Sequence, residues 1–209
     1  MSEPESAFVK FKIGREPLTR WLDAKPSPAT RWQDWRAIGG EWYLGRGHGP
    51  LADASDDALG DILRGADGRL ARFSSNRELL GVLLINSAEA PELWLSAFDQ
   101  GGENFVAGSL TYSENLEDFI VFLALARGVA DYLGPDDHGH AVVHNYIWGS
   151  EEEQETTAAL QMLPSGESRL LPEAEQPDVA AAFLPVAEAL MEAQLPPGFS
   201  VRDEFGLST

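Results

Sequence analysis

The stretch DDHGHAVVH gathers five side chains of metal-ligand type in nine residues: Asp136, Asp137, His138, His140 and His144. On a strand, His140 and His144 fall on the same face. Imidazole and carboxylate together suit a divalent ion, or a His–carboxylate pair for proton transfer. The competing reading is a plain turn, because Asp-Asp-His-Gly after a helix stop is ordinary loop chemistry. The one other histidine is His48, so no second ligand cluster supports a metal centre. A hydrolase or metal-dependent enzyme built around His140, His144, Asp136 and Asp137 is therefore an alternative reading, and no metal is expected.

A second stretch, YIWGSEEEQET, poses a different question. An aromatic run breaks at Gly149-Ser150, and Glu151, Glu152, Glu153 and Glu155 follow. The nearest basic residues in the chain are Arg127 and Arg169. Such a run either keeps an edge strand in solution or meets a cationic partner. Asp136 and Asp137 lie at the other end of the same expected strand, so the acids form two patches rather than one. Glu173, Glu175 and Asp178 add to either.

Other motifs carry less. GRGHGP, Gly45 to Pro50, precedes a helix, but it lacks the Gly-Lys-Ser/Thr ending of a phosphate loop and two aspartates follow it. It reads as a turn. No Gly-x-Ser-x-Gly or His-Glu-x-x-His pattern occurs. With 34 Asp and Glu, a glycosidase pair cannot be singled out. The six tryptophans, Trp21, Trp32, Trp35, Trp42, Trp94 and Trp148, read mostly as core. No cofactor is expected.

These residues must be positioned by strands and helices whose periods are visible. FVKFKI (8–13) alternates as a strand, and REPLTRWLDA is helical with Leu18, Trp21 and Leu22 on one face. TRWQDWRAI spaces Trp32, Trp35 and Ile38 as a short helix, and GEWYLG is a short strand. Ser55 is an N-cap followed by Asp56 and Asp57, with Leu59, Ile62 and Leu63 inside and Gly65 as the stop. ELLGVLLI (78–85) is apolar throughout, and its period does not choose between strand and helix. ELWLSAFDQ and NFVAGSLTY form a hairpin around GGE. SENLEDFIVFLALARGVADYLGP predicts a long helix over about 114–133, buried on several sides. HAVVHNYIW is a strand, TTAALQMLP and SRLLP a second hairpin, and PDVAAAFLPVAEALMEAQLPPG a final helix that Pro185 kinks or divides. The tail FSVRDEFGLST shows no clear pattern. Interspersed strands, helices and hairpins predict an α+β fold: a mixed or antiparallel sheet packed against the long buried helix and the C-terminal helix.

The chain has 209 residues, enough for one domain over 1–209 with a real core. It has no cysteine, which excludes disulfides and thiolate zinc sites. The acidic, polar start MSEPESAFVK is not a signal peptide, and the apolar run 119–126 is too short to span a bilayer. A soluble, cytoplasmic protein is expected. The net charge of −19 disfavours direct contact with nucleic acid or anionic membranes. Residues 1–77 are balanced, with 12 Lys and Arg against 11 Asp and Glu, whereas residues 78–209 hold 3 against 23. That asymmetry fits a basic protein as partner.

In size, acidity and α+β pattern, with GSEEEQET as candidate binding loop, the chain resembles the immunity proteins of bacterial polymorphic-toxin systems. The resemblance implies stoichiometric inhibition of a cognate, basic toxin rather than catalysis. The partner-binding set is then Glu151, Glu152, Glu153, Glu155, Asp136 and Asp137, with Tyr146 and Trp148 as exposed aromatic anchors. An adaptor or chaperone for a basic effector shares the same acidic surface.

Overall fold

The computed structural model describes residues 3–45, 47–87, 91–99, 101–148 and 155–207. Its frame is a six-stranded, wholly antiparallel sheet: β1 (Glu5–Lys12), β4 (Trp94–Asp99), β5 (Asn104–Ser113), β6 (His138–His144), β7 (Thr156–Leu163) and β8 (Glu167–Leu170). The spatial order is β4-β5-β1-β6-β7-β8, and a separate small hairpin pairs β2 (Glu41–Tyr43) with β3 (His48–Pro50). The α+β expectation holds, with the sheet antiparallel rather than mixed.

Alternation along the strands sorts side chains to two cores. Ala7, Val9 and Phe11 of β1 face the helices α1 (Arg15–Asp23), α2 (Asp56–Leu70), α3 (Asn76–Ser87) and α4 (Leu116–Arg127), while Phe8 faces α5 (Gln176–Met191). Both faces are covered, which is why the central strands carry few polar residues. Each sheet edge also meets another part of the chain. The Asp203 N–H donates to the Ser96 carbonyl of β4 (2.6 Å), and the Leu170 N–H of β8 donates to Asp34 Oδ2 (2.8 Å). Side chains and tail thus take up donors and acceptors that would otherwise invite strand addition.

The helices follow their caps. Asn115 Oδ1 accepts from the Glu117 N–H (2.8 Å) to start α4, and every residue from Phe119 to Arg127 is buried. The α-helix stops at Arg127 and tightens to a 3₁₀ turn over Gly128–Tyr132, so the expected span of 114–133 holds two kinds of helix. Ser55 caps α2 as expected, but α2 runs past Gly65 to Leu70. Gly65 instead allows close approach, since a Cβ there would sit 2.8 Å from Glu117 Oε2. The ambiguous 78–85 run is helical. Ser75 Oγ accepts the Glu78 N–H, and the Glu78 carboxylate takes the Ser74 N–H, a capping pair. That hydrogen bonding also lowers the Glu78 pKa. Pro185 lies inside α5 without dividing it. Proline lacks the N–H that would bond the carbonyl four residues back, that of Ala181, and Ala181 is exposed. Residues 29–38 form two 3₁₀ turns, Ala29–Arg31 and Trp35–Ala37, rather than one helix, yet Trp32, Trp35 and Ile38 are all buried.

No helix among the described residues is long and apolar enough to cross a membrane.

Candidate functional site

A groove of about 800 Å³ opens where β6 ends and β7 begins. His144, Tyr146 and Thr156 line it from the sheet, Ala180, Ala181 and Leu184 from α5, and Gly39 and Gly40 from the loop before β2. Glu155 and Glu173 lie on its walls, and both are exposed. Neither makes an ion pair among the described residues. Arg36, also on the wall, is committed to Asp56 and to the Ala54 carbonyl. Leu184 leaves 42% of its surface to solvent.

The groove exists because the chain leaves the sheet at His144. Asn145 Oδ1 takes the N–H groups of Ile147 and Trp148 (3.2 and 2.8 Å), folding 145–148 into a tight turn. The Asn145 N–H reaches across to the Glu155 carbonyl at 3.1 Å, so the two ends of the acidic segment are pinned together. Trp148 Nε1 donates to the Pro4 carbonyl (3.1 Å), which ties the turn to the start of β1.

Burial shifts two ionisable groups here toward their neutral forms. His144 is buried, its Nδ1 2.8 Å from Thr156 Oγ1, and burial pulls its pKa down to about 4. Glu5 receives the Thr157 hydroxyl at 2.7 Å, while its other carboxyl oxygen is buried without a partner. Burial is the larger effect, the hydrogen bond from Thr157 opposes it, and the nearby Glu155 charge adds to it; together they push the Glu5 pKa up to about 7.

The residues expected from sequence separate. Glu155 is at the groove, whereas Glu151, Glu152 and Glu153 lie outside the described residues. Tyr146 borders the groove but is not an exposed anchor. Only 5% of it is exposed, its ring packs on Phe8 and His144, and its hydroxyl donates to the Ala180 carbonyl at 2.7 Å. The inward turn at Asn145 explains the difference, and burial raises the Tyr146 pKa. Trp148 is half-buried and held by Pro4. Asp136 and Asp137 stand in the turn before β6, at the opposite end of that strand. Asp137 Oδ2 accepts the Gly134 N–H (2.8 Å), and the Asp136 carbonyl accepts from Lys12. His140 lies between the two ends, its pKa lowered by burial and by the neighbouring His138 and Lys10. No group of three His, Asp or Glu that could hold a metal occurs among the described residues.

Comparison finds no match. No family model, characterised protein or solved structure is similar to this chain at a significant level. The site therefore has to be read from its own chemistry. Sequence reasoning had found Glu155, and had Glu173 as an addition to either acidic patch, but missed Gln176 and Leu184 as their neighbours, and missed Glu5 and Thr157. The one available signal was position: Glu5 opens an apolar strand, where a carboxylate needs a partner or a proton.

Charge is partly evened out by the fold. Arg15, Arg31 and Arg69, from the balanced first part, pair with Glu204, Asp131, Glu117 and Asp118 of the acidic second part. Arg36, Arg64 and Arg77 pair within the first part. None of these six reaches Glu155 or Glu173.

Proposed function

We propose that the chain is an immunity-type inhibitor that binds a basic protein toxin through the groove and the acidic segment beside it. The observation that carries this reading is the pair of exposed carboxylates, Glu155 and Glu173, with no ion pair among the described residues, beside an exposed apolar wall. Such a surface suits a partner segment that presents Lys or Arg next to an apolar side chain. The carboxylates steer the encounter, and Leu184 with its neighbours supplies burial. Glu151, Glu152 and Glu153 follow the same turn in the chain. Where the toxin's own substrate is phosphate-bearing, the carboxylates take the places meant for phosphates.

The test is affinity capture from the source cells at low salt, followed by expression of the retained protein with and without this chain. The expected outcome is one basic protein that arrests growth alone and is silenced by co-expression. Changing Glu151, Glu152, Glu153, Glu155 and Glu173 together to Gln then slows association about tenfold and flattens its salt dependence. An unchanged on-rate removes this surface from the mechanism. A partner that is bound without being inhibited turns the reading into that of an adaptor.

A further inference from the structure

Far from the groove, the tail fills a cleft bounded by α1, α3 and the β4–β5 hairpin. Phe205 is buried there, its ring 6.0 Å from Phe98 and 5.7 Å from Phe105. The guanidinium groups of Arg15 and Arg77 lie over that ring, at 5.6 and 5.9 Å from its centre. Arg15 also pairs with Glu204, and Arg77, held by Asp23 at 2.8 Å, donates to the Phe205 carbonyl. The Asp203 N–H takes the free edge of β4 at Ser96. Leu207 is buried against α3, where a Cβ on Gly81 would meet its carbonyl oxygen at 2.9 Å.

This is how a folded domain recognises a short peptide: main chain on a strand edge, a carboxylate on an arginine, and an aromatic ring in a slot flanked by cations. The segment is joined to α5 through Leu195-Pro196-Pro197-Gly198, with Gly198 at φ 90°. It holds two further left-handed positions, Asp203 (φ 52°) and Gly206 (φ 62°). Its shape is thus set largely by the cleft, not by helix or sheet of its own.

We propose that this cleft is a recognition site for a partner protein's short peptide segment carrying an acidic residue followed by Phe, filled in the resting chain by its own Asp203–Leu207. A tethered segment competes at the high effective concentration of its short linker, so an outside peptide gains access when the tether's grip is weakened.

The experiment measures binding of a labelled synthetic peptide, FSVRDEFGLST, to the full chain by fluorescence anisotropy. Glu204→Arg in the chain sets the tail against Arg15 without emptying the aromatic slot. The expected result is peptide binding at least tenfold tighter to Glu204→Arg than to the unchanged protein, with the gain lost when Arg77→Gln is added. A peptide with Phe replaced by Ala should not bind. Equal affinity for the unchanged protein and a folded Glu204→Arg variant, or equal binding of the Ala peptide, overturns the proposal. Phe205→Ala is a second variant expected to bind the peptide more tightly, and Glu204→Arg carries the test should it not fold.

Discussion

Two places in this fold bury ionisable groups, and they do it in opposite ways. On the helical side of the sheet Arg127, 1% exposed, stays charged: Nη2 meets both oxygens of Asp34 at 2.6 and 2.7 Å, and Nε meets Ser168 Oγ at 3.0 Å. Its guanidinium carbon lies 5.1 Å from the Trp32 ring centre and 4.9 Å from that of Trp35. Near the groove, Glu5 and His144 make no ion pair among the described residues, and burial shifts each toward its neutral form instead. Pairing keeps a charge at the cost of fixing three segments around it. Neutrality needs no partner, but it makes stability depend on pH.

Breaking the pair should have the largest effect. Asp34→Ala leaves Arg127 buried and unpaired and frees the Leu170 N–H at the edge of β8. Because Asp34 itself is 38% exposed, the loss belongs at the low end for such pairs, about 3 kcal/mol in urea denaturation. Arg127→Met with Asp34→Leu should recover most of it, since both charges then leave together. A double variant as unstable as Asp34→Ala would mean that the pair's geometry, not charge burial, is what matters.

The neutral groups predict slopes rather than steps. Glu5 has its pKa raised from 4.5 to about 7, so its contribution to stability is complete below pH 4.5 and is lost as pH rises through 7. His144 has its pKa lowered from 6.5 to about 4, so its contribution is complete above pH 6.5 and is lost as pH falls through 4. Between pH 4.5 and 6.5 the two slopes oppose each other, and the intact protein should show little dependence from this region. Glu5→Gln uncovers the histidine: relative to the intact protein, stability should rise with pH over that window by roughly 3 kcal/mol. His144→Gln uncovers the glutamate and should give the reverse slope. Thermal unfolding across pH, compared as differences from the intact protein, checks both, and parallel curves for all three proteins would refute the assignment.

The two regions were not equally legible in the sequence. Arg127 is the lone charge in the apolar run from Phe119 to Ala130, so its need for a partner was visible; that the partner is Asp34, 93 residues earlier, was not. β1 announced itself by alternation, the β4–β5 hairpin by its GGE turn and α4 by its unbroken apolar middle, because those signals are local. The groove draws on residues from 36 to 184, brought together from segments far apart in the chain. Acid runs drew attention to Glu151–Glu155, yet charge density in a chain says nothing of which carboxylates the fold will neutralise. Tyr146 shows the limit: its type suited an anchor, and the single turn made by Asn145 sent it inward.

The smallest effect sharpens the contrast most. Among the described residues Thr157 is the one group that hydrogen-bonds the Glu5 carboxyl, and it partly offsets the rise in pKa that burial imposes. Thr157→Val keeps the shape and removes the hydroxyl. Glu5 Oε1 then joins Oε2 as a buried oxygen without a partner, costing about 1 kcal/mol. The loss should be larger at pH 8, where the carboxyl ionises, than at pH 5, where it holds its proton, and the Glu5 titration should move further up when followed by NMR. In Glu5→Gln the same Thr157→Val change should lose its pH dependence while keeping a similar cost near pH 5. A pH-independent loss in both backgrounds would mean that Thr157 serves the β7 backbone rather than the carboxyl, and that the neutrality of Glu5 comes from burial alone.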